Sequence, residues 1–292
     1  MKEVKMRRTA DRNGNITEEH TLQDALLERL YGTMAGRLLL KPLVTPMVSR
    51  LGGRLLDSRI SVLLIGPFIR KNFIDMSDYE KRSYRSYNDF FQWRLRPGVR
   101  RIDMTPDHLI SPCDARLSVY SLDEEFAFTV KHTFYTVETL LKNRRLADRF
   151  CGGFAWIFRL CVDDYHRYIY IDNGKASPPR HIPGVFHTVN PIANDRYPIY
   201  KENTREYTLL RSKNFGTVLQ MEVGALLVGK IENYIPTAPV VRGQEKGSFA
   251  FGGSTVILLT QKGKVRPDPD LLENTLQGIE TRVLLGESIG FK

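Results

Sequence analysis

The first 85 residues carry apolar side chains at helical spacing. From Thr21 to Leu40 one face collects Leu22, Leu26, Leu30, Met34 and Leu38. Pro42 and Pro46 interrupt this pattern, and a second apolar stretch from Met47 to Lys71 follows, with five basic residues among its leucines and isoleucines. The pattern fits a helical layer packed on the protein's own core. It fits equally a region whose basic, apolar helices lie at a bilayer surface.

The segments on either side of these helices are polar. Residues 1–16 are charged and predict a loose tail. Ser77 and Glu80 form a capping-box pattern, which predicts a helix from Ser77 towards Trp93. Arginines 94, 96, 100 and 101 then surround the turn at Pro97-Gly98, where they could clamp a phosphate or form a solvated loop.

From about Leu109 the chain predicts short strands separated by turns. The predicted strands are 115–120, 126–130, 154–162, 168–171, 185–189, 206–210, 217–223, 225–231 and 256–260. One helix is predicted over 137–150. Turns rather than helices between strands favour antiparallel pairing. The predicted fold class is therefore α+β, with a helical region over 1–85 and a β-rich, mainly antiparallel domain over 86–292.

Charge and cysteine content narrow the class of protein. The net charge is +10, with 43 basic against 33 acidic residues, and this excess favours an anionic partner. The basic residues lie beside apolar helical faces and match no nucleic-acid-binding module, so nucleic-acid binding is not predicted. Three scattered cysteines predict neither a disulfide framework nor a metal site. No apolar run is long enough to span a bilayer, which predicts a chain in solution or on a surface.

The chemistry is predicted at Gly252-Gly253-Ser254, directly before the apolar run 256–260. Two glycines give the backbone unusual freedom, so this segment forms either a strained catalytic turn or a glycine bulge. A nucleophilic serine needs a base and often a carboxylate. His166 ends a predicted strand within a polar cluster, and Asp114 opens another strand. Spacing alone does not select these two residues.

An ordered set of short motifs covers residues 86 to 290. They include Asn88-Asp89-Phe90-Phe91, Ser111-Pro112 with Asp114, Asp164-Tyr165-His166-Arg167, Met221-Glu222-Val223-Gly224-Ala225, Phe251 to Leu258, and Gly286-Glu287-Ser288-Ile289-Gly290. In this order they resemble the phosphatidylserine decarboxylases that make their own pyruvoyl group. The first 85 residues resemble the family only as a helical, membrane-facing region.

The resemblance implies a function for each candidate residue. The Ser254 hydroxyl would attack the carbonyl of Gly253, giving chains 1–253 and 254–292 and converting the serine into a pyruvoyl group. This covalent pyruvate cofactor would form a Schiff base with phosphatidylserine, releasing CO2 and phosphatidylethanolamine. Asp114 would help to activate Ser254 for self-cleavage, and His166 would assist decarboxylation or reprotonation. No metal is implied.

The resemblance also implies a location and an assembly. The two cleavage chains would stay together as a heterodimer, and a homodimer of these heterodimers is left open. The basic N-terminal helices would hold the protein against anionic lipid on the cytoplasmic side of the cell membrane, as a peripheral protein.

Two positions depart from the family pattern. The usual second histidine is Ile169, which cannot accept a proton, and the glycine after the aspartate is Ala115. His132 could supply an imidazole instead. A second hypothesis is therefore a relative that does not cleave and that binds lipid or a partner without catalysis. A third is a decarboxylase for another amine-bearing lipid or a free amino acid.

Overall fold

The computed structural model describes residues 7–19, 22–122, 127–130, 133–190, 193, 197–225, 231–236, 239–250 and 254–292. Helices in these ranges are α1 (Leu22–Gly32), α2 (Met34–Leu43), α3 (Pro46–Leu56), α4 (Ile65–Lys71), α5 (Tyr87–Phe91), α6 (Val137–Leu141), α7 (Arg144–Ala147), α8 (Ile199–Glu202) and α9 (Pro269–Leu276). Short 3-10 turns cover Arg59–Leu64, Met76–Asp78 and Asp148–Phe150.

The strands of the described residues follow the predicted β-rich pattern. They are β1 (Arg7–Ala10), β2 (Ile16–Glu19), β3 (His108–Ile110), β4 (Ala115–Ser121), β5 (Ala127–Val130), β6 (Thr133–Thr136), β7 (Phe154–Leu160), β8 (Arg167–Ile169), β9 (Gly174–Ala176), β10 (Arg180–Ile182), β11 (Arg205–Ser212), β12 (Thr217–Val223), β13 (Ile231–Asn233), β14 (Glu245–Phe249), β15 (Ser254–Thr260), β16 (Arg266–Pro267), β17 (Glu280–Val283) and β18 (Ser288–Phe291).

The largest sheet runs in the order β10–β11–β12–β15–β7–β4–β17–β1–β2, with β9 also paired to β11. Its neighbours pair antiparallel except β1 and β17, which are parallel. The central strands β12, β15 and β7 are almost entirely buried, because both of their faces are covered. The predicted α+β class with a mainly antiparallel β-rich part is confirmed.

A smaller sheet, β13–β14–β8, covers one face of the largest sheet. Gln220 on β12 donates a hydrogen bond to the Ile169 carbonyl on β8, and Lys246 on β14 binds Glu222 on β12. Since side chains alternate along a strand, Glu222, Val256 and Ser254 share the covered face. The chain therefore buries the candidate serine between two sheets.

Three local predictions were wrong. Residues 7–19 form a hairpin that joins the largest sheet instead of a loose tail, and Arg12 anchors it to Asp268 at 2.7 Å. Ser77 does not begin a long helix: the Asp75 carboxylate accepts from its amide and closes a 3-10 turn, while Ser86 caps α5. The helix predicted over 137–150 breaks at Lys142, whose φ of 49° is left-handed.

Two predicted strands also differ. Over 185–189 the structure has an isolated bridge from Val185 to Asn203 instead of a strand. The predicted strand 225–231 lies mostly outside the described residues. Strand pairing depends on a partner at the right distance, and the local apolar pattern does not carry that information.

The N-terminal helices pack on the β-rich part through aromatic side chains. Phe68 of α4 contacts Phe90 and Phe91 of α5, with ring centroids 6.1 and 6.3 Å apart. Tyr31 of α1 reaches His187, with its hydroxyl 3.3 Å from Nδ1. Among the described helices, none has the length and apolar character needed to cross a bilayer. The helical region thus contributes to the same core as the sheets.

Candidate active site

Ser254 is the first residue of β15 and is fully buried. Its Oγ lies 3.4 Å from Nδ1 of His166, on the segment between β7 and β8. The structure therefore brings together two of the three residues predicted for the chemistry. Residues 251–253, which include Gly253, lie outside the described residues. The predictions of a catalytic turn and of a glycine bulge both concern this segment, so both stay predictions.

The orientation of the His166 ring follows from its second nitrogen. Nε2 lies 2.9 Å from the carbonyl oxygen of Cys161, which can only accept, so Nε2 carries the hydrogen and donates it. Nδ1 then presents a lone pair towards Ser254 Oγ. Burial lowers the pKa of His166 to about 4, so the ring is neutral at pH 7. The ring of Phe91 lies 4.3 Å from the imidazole and covers it.

The turn that carries His166 is held by arginines from the largest sheet. The Asp164 carboxylate accepts hydrogen bonds from Arg116 and from the Cys161 amide, the latter at 2.7 Å. Arg159 donates to Cys161 Sγ at 3.0 Å. Burial raises the pKa of Asp164 to about 6. These contacts fix the Cys161 carbonyl, and with it the imidazole.

Asp114 is bound by an arginine and by a backbone amide, and its part in activating Ser254 stays a prediction. Arg100 donates to both of its oxygens, with Nε–Oδ1 at 3.0 Å and Nη2–Oδ2 at 2.6 Å, and the Leu285 amide donates to Oδ1 at 2.7 Å. Within the described part of the chain, neither Ser254 nor His166 is hydrogen-bonded to this carboxylate. Arg100 follows the turn at Gly98, whose φ is +86°. Among the four arginines around this turn, Arg100 is therefore an ion-pair partner for Asp114 and not a fully solvated side chain.

The two departures from the family pattern have defined places. Ile169 is 5% exposed, and its amide donates to the Pro112 carbonyl. Its side chain lines a cleft of about 210 Å³ together with Arg100. Ala115 begins β4 and is buried opposite Val283 of β17. His132, predicted as a replacement base, lies outside the described residues.

The sequence pattern missed a buried ion pair on the Ser254 side of the sheet. Lys246 Nζ lies 2.7 Å from Glu222 Oε2 and 2.7 Å from Asn233 Oδ1, and the side chains of Lys246 and Glu222 are 1% and 0% exposed. Burial raises the pKa of Glu222 and lowers that of Lys246. A glutamate inside the apolar strand 217–223 indicates that a buried cation or hydrogen-bond donor lies beside it. The sequence around Glu222 does not show that this cation is Lys246.

These contacts are typical of a protein that carries out chemistry at a buried serine. A buried serine opens a central strand, two glycines precede it in the sequence, and a neutral imidazole faces its hydroxyl. Such an arrangement suits chemistry at the serine and its preceding peptide bond.

Comparison with known proteins narrows this class to one family. A family model described as "Phosphatidylserine decarboxylase" matches residues 87–291. "Phosphatidylserine decarboxylase proenzyme 2" of Clostridium acetobutylicum is 44% identical over 276 residues, covering 94% of each chain. "Phosphatidylserine decarboxylase proenzyme" of Ruminiclostridium cellulolyticum is 41% identical over 271 residues, covering 91% of this chain and 90% of the relative. The chain belongs to the phosphatidylserine decarboxylase family, and the family predicted from the sequence motifs is confirmed.

Proposed function

We propose that this protein is a proenzyme that cuts itself between Gly253 and Ser254 and then decarboxylates phosphatidylserine to phosphatidylethanolamine and CO2. The observation that carries the proposal is the buried contact of 3.4 Å between Ser254 Oγ and His166 Nδ1. It supplies a nucleophile and a proton acceptor in a chain whose relatives are named proenzymes of this decarboxylase.

The residues around Ser254 fit a pyruvoyl group made from this serine. The position is 0% exposed and faces the imidazole, so a ketone there would be shielded from water. Such a group supplies a carbonyl that accepts the substrate amine and a conjugated system that draws electrons as CO2 leaves. A site with little water also favours the loss of charge that accompanies decarboxylation.

His166 would move the proton in this reaction. Its Nδ1 faces residue 254, where the substrate would be attached, and its Nε2–H remains hydrogen-bonded to the Cys161 carbonyl. Nδ1 is therefore the atom that takes up a proton and returns it to the carbon left after CO2 departs. Phe91 covers the ring and limits competing proton exchange with solvent.

The two cleavage chains would remain one molecule. Residues 254–292 supply β15, between β12 and β7, and β17, beside β4. Across the cut, Asp114 holds the Leu285 amide at 2.7 Å. Removing a central strand would expose both neighbouring edges, so the chains stay paired. In this proposal Asp114 is a positioning residue that fixes the small chain beside the site.

The first prediction concerns the state of the purified protein. We expect intact-mass analysis to find two chains, residues 1–253 and residues 254–292, the second starting with a pyruvoyl group in place of serine. We also expect CO2 release from vesicles that contain phosphatidylserine and none from free serine. A purified chain that stays whole would support the non-cleaving hypothesis that Ile169 motivates. CO2 release from free serine or from another amine lipid would support the third hypothesis, a decarboxylase with a different substrate.

We further propose that the protein lies on an anionic membrane as a peripheral protein, on the cytoplasmic side. The support is an apolar N-terminal surface of strongly exposed side chains in 22–73, namely Leu26, Met34, Leu38, Leu39, Met47, Leu51, Leu55, Ile60, Leu63, Leu64 and Phe73. Exposed basic side chains lie in the same segment, among them Lys41, Arg54, Arg59, Arg70 and Lys71. Apolar side chains bordered by cations match the interface of an acidic bilayer.

The second prediction tests this surface. Leu38→Asp/Leu39→Asp changes two α2 leucines that are 61% and 64% exposed. We expect binding to phosphatidylglycerol vesicles to fall by about 100-fold or more, because burying each leucine contributes about 1.5–3 kcal/mol. Leu276→Asp is the matched control, since this leucine is 87% exposed but lies at the end of α9. Co-sedimentation measures both variants, and equal loss in the two would contradict the proposed surface.

A further inference from the structure

Self-cleavage requires a group that removes the Ser254 proton, and Ile169, at the position where the resemblance implies a histidine, has no basic atom. We infer that His166 is the base for self-cleavage in this chain, in addition to its proposed part in decarboxylation. This inference rests on the proposed function and assigns a further catalytic step to one of its residues.

The contact with Ser254 is the first support. Ser254 Oγ and His166 Nδ1 are 3.4 Å apart, and their residues are 0% and 1% exposed. In the described part of the chain, His166 is the hydrogen-bond partner of this hydroxyl. Hydrogen bonds to a base are often long before the reacting geometry forms, and the distance needs to shorten by only a few tenths of an ångström.

The second support is the direction of the lone pair. The Cys161 carbonyl engages Nε2–H at 2.9 Å, which leaves Nδ1 without a hydrogen and facing Oγ. Arg159 and Asp164 hold Cys161 through its Sγ and its amide, so the carbonyl that orients the ring is itself fixed. The imidazole is therefore preorganised as an acceptor for the serine proton.

The third support is that Asp114, Asp164 and Glu222 are each bound to another group. Asp114 is bound by Arg100 and the Leu285 amide, and Asp164 by Arg116 and the Cys161 amide. Glu222 is bound by Lys246. Asp114 and Asp164 would each have to break a charge-assisted hydrogen bond before reaching the hydroxyl, and Glu222 is held in place by Lys246 through Oε2. His166 needs no such rearrangement.

The proposed self-cleavage passes through an ester between Gly253 and Ser254. His166 Nδ1 takes the hydroxyl proton while Oγ bonds to the Gly253 carbonyl carbon. The bond from that carbon to the Ser254 nitrogen breaks, the nitrogen receives the proton, and an ester joins Gly253 to Oγ. A base then removes the Ser254 Cα proton, a Cα–Cβ double bond forms, and the Cβ–Oγ bond breaks, so that Oγ leaves as part of the Gly253 carboxylate. One water hydrolyses the resulting enamine, after its conversion to an imine, and releases ammonia to leave the ketone.

The experiment follows cleavage of the full chain during cell-free synthesis, by the fraction of uncut protein on denaturing gels against time. His166→Gln keeps a donor for the Cys161 carbonyl but has no basic nitrogen. We expect its cleavage to be slower by about 100-fold or more, the usual contribution of a general base. His166→Ala is expected to behave alike, and thermal unfolding of both variants shows whether they fold.

His187→Ala is the matched control, because it removes another buried imidazole, one that contacts Tyr31 instead of Ser254. Its cleavage rate should equal that of the unchanged protein. A folded His166→Gln or His166→Ala chain that cleaves within a few-fold of the unchanged protein would overturn this inference while leaving the proposed function intact. An unchanged protein that never cleaves would overturn the proposed function itself.

Discussion

Ser254→Ala is expected to leave one uncut chain of 292 residues that releases no CO2 from phosphatidylserine. The variant has no hydroxyl to attack the preceding carbonyl, so the loss should be complete, whereas loss of a base is partial. The fold should survive, because the hydroxyl makes one long hydrogen bond, whose removal costs about 1 kcal/mol. Intact mass and a CO2 assay measure the two outcomes.

Thr255→Val provides the control for Ser254→Ala. Thr255 is the next residue of β15 and is also fully buried, but its side chain lies on the opposite face of the sheet. The substitution removes a hydroxyl at nearly constant volume. Cleavage at the normal site should therefore persist. If Ser254→Ala still yielded a chain beginning at residue 254, the assignment of the serine would be wrong.

Lys246→Met is expected to destabilise the fold by about 3–5 kcal/mol, because it leaves the buried Glu222 carboxylate without its cation. Glu222 Oε1 has no hydrogen-bond partner in the described part of the chain. The cost of burying this carboxylate is therefore offset by the hydrogen bonds that Lys246 and Asn233 donate to Oε2. The measurement is urea unfolding in the Ser254→Ala background, where the protein should remain a single chain.

The double variant Lys246→Met/Glu222→Gln separates the charge from the packing. Removing both charges should recover most of the lost stability, since a buried ion pair and a neutral pair of similar volume are often close in free energy. A Lys246→Met protein within 1 kcal/mol of its parent would show that the pair contributes little. An additive double variant would show that the two residues act independently.

Local patterns predicted the parts of this fold that depend on neighbours in sequence. The alternation in 115–120 and the apolar run 256–260 became β4 and β15, because a strand with a buried face requires that pattern. The capping box at Ser77 was misleading because Asp75 competes for the same backbone amide. The hairpin at 7–19 could not be predicted, since its stability comes from β17 and from Asp268, more than 250 residues away.

For the candidate site too, some features were predicted from the sequence and others depend on the tertiary structure. The motifs in the sequence identified the family, and they nominated Ser254, His166 and Asp114. Only the tertiary structure decided that His166 faces Ser254 while Asp114 binds Arg100 and the Leu285 amide. A hydrogen bond needs the right distance and direction between two groups. Strand order and register determine whether residues 114, 166 and 254 come close enough to form one. Chain composition determines which groups are available, and packing determines which of them can exchange a proton.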